Sequence, residues 1–180
     1  RWAYPVPADY GKGYRCDNAK WIGLARELTT EEMSDAQKAV VLHDWMVANL
    51  AYDQYKVSSL GSTRAAAYED YTGKYSMWDT KTGVCADFTT VYCIMLRSVG
   101  IPAVSLDYNN EHVWNVVYLD GDWVEIDLTD DIDRIVYGED VTDVANAADT
   151  VDYDAFGTPY TIETIQPGKH CINHGMYTRA

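Results

Sequence analysis

Gly83-Val84-Cys85-Ala86-Asp87-Phe88, His112-Val113-Trp114-Asn115 and Trp123-Val124-Glu125-Ile126-Asp127-Leu128-Thr129 follow one another through the middle of the chain. The first block opens a helix. From Cys85 the apolar positions Phe88, Val91, Tyr92, Met95, Leu96 and Val99 recur at helical spacing, and Gly100 with Pro102 ends the pattern. A thiol at a helix start faces the positive end of the helix dipole, which favours thiolate over thiol. Three strand patterns follow, at 103–108, 112–119 and 122–128, and Asp120-Gly121 between the last two is a two-residue hairpin signal. With those two residues as the loop, Leu119 faces Asp122, Trp114 faces Asp127 and His112 faces Thr129. Opposite residues share a face, so His112, Trp114, Asp127 and Thr129 project from one side, with Asp127 diagonal to His112. The other side carries Val113, Val117, Val124, Ile126 and Leu128, with Asn115 as its polar exception.

A helix-start thiol, an imidazole and a carboxylate beside the imidazole are the parts of a Cys-His-Asp acyl-transfer site. His112 takes the thiol proton, and Asp127 fixes its tautomer and favours the imidazolium. An unperturbed thiol is only about 3% ionised at pH 7, so such pairing raises the population of the nucleophile about thirtyfold. Most free cysteines are small buried hydrophobes. The helix start and the His–Asp pair favour the chemical role for Cys85, whereas Cys93, beside the core stripe of the same helix, is expected to be inert packing. His43 with Asp44 is a rival dyad. His43 falls within the apolar stripe Ala36, Ala39, Val40, Met46, Val47 and Leu50 of an earlier helix, where a satisfied core histidine is expected.

The three blocks resemble the signature blocks of the transglutaminase-like superfamily. The segment His43-Asp44-Trp45 through Asn49-Leu50-Ala51-Tyr52-Asp53 resembles the helix that precedes them, and the likeness spans Gln37–Asp131, about half the chain. It is nearest to bacterial single-domain members, not to the large calcium-dependent animal enzymes. The resemblance implies an α+β, papain-like cysteine-protease fold with the nucleophile helix packed on an antiparallel sheet. It implies Cys85 as nucleophile, His112 as general base and then acid, and Asp127 as the orienting residue. The reaction begins at a carboxamide or peptide carbonyl and passes through a thioester, resolved by an amine (transglutamination) or by water (deamidation or peptide hydrolysis). No cofactor and no metal are implied. The backbone N–H of Cys85 is the natural oxyanion donor. Tyr52 and Trp78 are candidates for the second, and with Trp114 for substrate contact.

Composition sets the outer bounds. The chain has 180 residues, 14 Lys+Arg against 28 Asp+Glu, and a net charge of −14, which disfavours nucleic acid and anionic lipid as partners. No apolar run approaches the roughly 20 residues of a membrane helix. One domain over 1–180 is expected: an extended arm at 1–30, core motifs at 36–131, and an acidic excursion with an edge strand near Tyr160–Ile165 at 132–180. Thr29 or Thr30 is the expected cap of the helix that carries His43, and 53–82 is expected to be mainly loop, with a short helix near Thr63–Tyr71. The amino-terminal Arg1 and the few lysines suggest a trimmed precursor, so a secreted or cell-surface protein, monomeric, is expected. In that setting Cys16 and Cys171 form a disulfide; metal ligation by His170, Cys171 and His174 is disfavoured by the missing fourth ligand. Protein or peptide substrates, cell-wall peptide included, fit the enzyme. The alternative is a non-catalytic surface-binding or assembly module that keeps the fold and uses the 15 Tyr and 6 Trp for contact.

Overall fold

In the computed structural model, helix α1 spans Asn18–Leu28 and α2 Asp35–Asn49, followed by strand β1 (Ala51–Asp53), α3 (Gln54–Leu60), α4 (Met77–Thr80) and β2 (Thr82–Gly83). Helix α5 spans Cys85–Ser98. Then come β3 (Ala103–Tyr108), β4 (His112–Leu119), β5 (Asp122–Ile126), α6 (Leu128–Asp131), β6 (Ile135–Val136), β7 (Phe156–Pro159) and β8 (His170–Ile172). The structure describes residues 17–63, 65–66, 76–108, 112–132, 135–137, 153–159 and 170–172, with 108, 158, 159 and 170–172 described by backbone alone. Five strands form an antiparallel sheet in the order β7-β5-β4-β3-β8, and β2-β1-β6 form a small parallel sheet. The class is α+β.

Helix α5 is the axis of the core. Eleven of its fourteen residues are buried, so it is covered well beyond the single apolar stripe of the sequence pattern. It packs on β3 and β4 and against α1 and α2. Its polar positions find partners: the Tyr92 hydroxyl donates to the Ala39 carbonyl at 2.9 Å, and Arg97 Nε donates to the Ala103 carbonyl at 2.9 Å. The hairpin has the expected register, with Leu119 opposite Asp122 and Asn115 opposite Ile126. Asp120 and Gly121 both have positive φ, 53° and 104°, as a tight hairpin turn requires.

Several expectations need correction. Residues 18–28 of the supposed arm are helical: Trp21 and Ala25, one turn apart, are buried in the core. Thr29 does not cap α2; its hydroxyl closes the end of α1 on the Ala25 carbonyl at 2.8 Å. The cap is Ser34, whose Oγ accepts the Gln37 N–H at 3.1 Å while Gln37 Oε1 accepts the Ser34 N–H at 2.9 Å. Within 53–82, α3, α4 and β2 are regular, and the short helix expected near 63–71 falls mostly outside the described residues. The edge strand beside β5 is Phe156–Pro159; the segment at 160–165 lies outside the described residues. Cys16 also lies outside them, as does the side chain of Cys171, so the disulfide falls beyond the description.

Candidate active site

Strands β1 and β2 pair in parallel, Ala51 with Thr82 and Tyr52 with Gly83, and so deliver the chain to the start of α5. There the buried Asp87 carboxylate accepts the Val84 N–H at 2.8 Å, satisfying one of the donors that a helix start leaves open. Gly83 is needed for this approach. A Cβ at that position would stand 2.7 Å from Met77 Sδ and 3.0 Å from Asp87 Cβ. Gly83→Ala is therefore expected to cost about 1–3 kcal/mol by overpacking, measured as a lowered denaturant midpoint at unchanged slope.

Cys85 is the first residue of α5 and only 3% exposed. One turn further on, the Thr89 hydroxyl donates to the Val113 carbonyl at 3.0 Å, and the Asn115 amide donates to the Thr89 carbonyl at 3.0 Å and to Cys93 Sγ at 3.1 Å. These bonds fix the helix start against the first residues of β4. Asn115, the polar exception on the apolar face, is thus the sheet's tie to α5. Thr89 and Asp87 were not singled out from the sequence: Thr89 acts on a strand 24 residues away, whereas Asp87, three residues after Val84, stands at a capping position that the sequence does signal locally. Cys93 is buried, and burial pushes its thiol up, as suits packing.

His112, the first residue of β4, lies close enough to Cys85 for that side chain to raise its basicity. Its Nε2 lies 2.5 Å from Asp127 Oδ2, which leaves Nδ1 as the nitrogen for the sulfur. Asp127 reaches that place by a different route from the one expected. Strand β5 ends at Ile126, and Asp127 leaves the ladder as the N-cap of α6, its Oδ1 accepting the Thr129 N–H at 3.0 Å. Both carboxylate oxygens are therefore employed. The Trp114 ring stacks on His112 with centroids 5.5 Å apart, and its Nε1–H donates to Glu125 at 2.9 Å, making a fixed wall.

Burial alone would lower the basicity of His112. The hydrogen bonds to Asp127 and then Cys85, with the charges of both, outweigh it and raise the imidazole from 6.5 to about 10. Because the folded-state value lies above the ordinary one, the associated stability is complete below pH 6.5 and is lost as pH rises through about 10. The melting temperature of the native protein is expected to fall more between pH 7 and 10 than that of His112→Ala.

The proposed substrate contacts divide. Tyr52, half-buried and paired with Gly83, lies within electrostatic reach of Cys85; burial first, and then the charges of Cys85, Asp87 and Asp53, raise its hydroxyl against the lowering effect of a Thr63 hydrogen bond. It is a neutral donor at pH 7. Trp78 belongs to another set of contacts: it meets Trp21 edge-on at 4.7 Å, and Lys81 Nζ sits 4.4 Å from its ring centroid. Among the described residues His112, Asp127 and the exposed Asp130 place ligand-type atoms within 4.8 Å of one another. Of these three, His112 and Asp127 are bonded directly to each other through Nε2 and Oδ2.

Known proteins place this arrangement in context. Three solved structures resemble the chain: a proposed cysteine protease from Cytophaga hutchinsonii (24% identity, TM-score 0.43), a TGase (21%, 0.46) and a proposed protease from Parabacteroides distasonis (14%, 0.42). The alignments cover 67%, 62% and 66% of this chain but only 40%, 30% and 27% of those chains. No curated protein matches. The family model of the transglutaminase-like superfamily matches residues 22–128, from α1 to the first residue of α6 and thus through Cys85, His112 and Asp127, and the chain belongs to that superfamily.

Proposed function

We propose that the domain catalyses acyl transfer from a carboxamide or peptide carbonyl through a thioester on Cys85. The observation that carries this reading is the His112 imidazole, paired through Nε2 with Asp127 and close enough to Cys85 for that side chain to raise its basicity. With His112 protonated, its positive charge favours the ionised sulfur. The sulfur attacks the carbonyl carbon, and the new oxyanion takes hydrogen bonds from the Cys85 N–H and from a second donor, for which the Tyr52 hydroxyl is the candidate. As the carbon–nitrogen bond breaks, the imidazolium gives its proton to the departing ammonia or amine. Water or a primary amine then gives a proton back to His112 and attacks the thioester, and the sulfur leaves as thiolate.

Asp127 holds Nε2–H throughout, so the imidazole presents Nδ1 to the sulfur at each step. Protein or peptide substrates, cell-wall peptide included, and a secreted or cell-surface setting remain part of this proposal. Ammonia release from a glutamine peptide, with and without an added primary amine, tests it. Release with amine incorporation supports a transferase, and release without incorporation supports a deamidase. Peptide cleavage without ammonia supports a protease. None of the three, from folded protein with a range of glutamine peptides, would return the domain to a binding role.

A further inference from the structure

His43, buried in the middle of α2 and outside the site just described, is held on both sides. Its Nδ1 lies 3.1 Å from Asp44 Oδ1 and its Nε2 3.0 Å from Asp131 Oδ2, while its ring stacks on Tyr153 at 5.4 Å and meets Phe156 edge-on at 4.7 Å. Tyr153 in turn donates its hydroxyl to Asp44 at 2.8 Å. Asp131, fully buried, has a second engagement. Its Oδ1 accepts the Ala155 N–H at 2.7 Å, and the Ala155 carbonyl accepts the N–H of Asp127 at 3.1 Å. The Asp131 N–H also closes α6 on the Asp127 carbonyl at 3.2 Å. Asp127 is thus gripped at both its backbone N–H and its carbonyl by groups that Asp131 locates.

We propose that His43 is a positioning residue for the reaction: through Asp131 and the Ala155 peptide it fixes where Asp127 meets His112. A helix of four residues has no stability of its own, so the direction of α6 is set by what holds its end. The buried end is Asp131, and His43 is its link to the rigid helix α2. This inference rests on Cys85, His112 and Asp127 acting as a unit.

The test compares His43→Gln with His43→Asn. A glutamine amide nitrogen reaches about where Nε2 stands and preserves the bond to Asp131; an asparagine amide reaches only about where Nδ1 stands and loses it. Both remove the ring, and asparagine leaves the larger void, so the isosteric Asp131→Asn, which leaves none, is measured beside them. The readout is the rate and pH midpoint of iodoacetamide alkylation at Cys85, well below the melting temperature. His43→Asn is expected to react about tenfold more slowly at pH 6, with its midpoint moved to higher pH, while His43→Gln stays within about twofold of native. Should His43→Asn fail to fold, the isosteric Asp131→Asn decides, because it offers one acceptor where the carboxylate offers two, and it is expected to slow alkylation at pH 6. Native rate and midpoint in folded His43→Asn, or in Asp131→Asn in its place, overturn the inference and leave His43 as core filling. Absence of low-pH reactivity in the native protein overturns the underlying unit instead, and this inference with it.

Discussion

Cys85→Ala is expected to abolish turnover, by about 10⁵–10⁶-fold in kcat as for removal of other covalent nucleophiles, while the protein stays folded. The change removes one sulfur from a residue at the helix start and creates little void, so a stability loss of about 1 kcal/mol is expected. The other free thiol among the described residues cannot substitute. Cys93 lies eight residues along α5, is 1% exposed, and receives a hydrogen bond from Asn115. Circular dichroism and a melting curve close to native, with no product above background, are the expected pair of results. Retained turnover would remove Cys85 from the chemistry altogether.

Asp127→Asn is expected to lower kcat/KM by about 10²–10⁴-fold, mostly through kcat. The aspartate receives hydrogen on both oxygens, from His112 Nε2 and from the Thr129 N–H. Asparagine has one acceptor oxygen and cannot serve both. If the oxygen keeps the cap, its NH₂ faces His112 and forces the imidazole into the tautomer with its proton on Nδ1, where the sulfur needs a base. If the oxygen turns to His112, α6 loses its cap at a cost of about 1 kcal/mol. Steady-state kinetics beside a denaturant curve separate the two: a large loss in kcat with native stability marks the first, and a modest loss with lowered stability the second. Unchanged kinetics would mean that His112 does not depend on Asp127.

The parts of this site that were legible in the sequence are those fixed by short-range rules. Asp120-Gly121 dictates a two-residue turn, the turn dictates the register, and the register brings Asp127 near His112. Gly83 before the apolar run marks the helix start that carries Cys85. What escaped depends on distant partners. The departure of Asp127 from the β5 ladder is stabilised by the Ala155 carbonyl, 28 positions along the chain, and nothing local to Asp127 signals it. Asp131 looks like one more surface acid among Asp130, Asp133 and their neighbours, and its burial follows from His43, 88 residues earlier. The parallel pairing of β1 with β2 and β6 involves strands of two or three residues, too short to leave a periodic pattern. Helix α1 was hidden by the prolines and glycines that precede it, although Trp21 and Ala25 carry its buried face.

The central claim is that His112 and Cys85 form a charged pair before substrate arrives. The most direct measurement is the pH dependence of iodoacetamide alkylation at Cys85, resolved by peptide mass spectrometry, in the native protein and in His112→Ala. Reaction that persists at about pH 5–6 in the native protein and is lost there in His112→Ala is the expected result. Reaction that rises only near pH 8–9 in both proteins would contradict the claim.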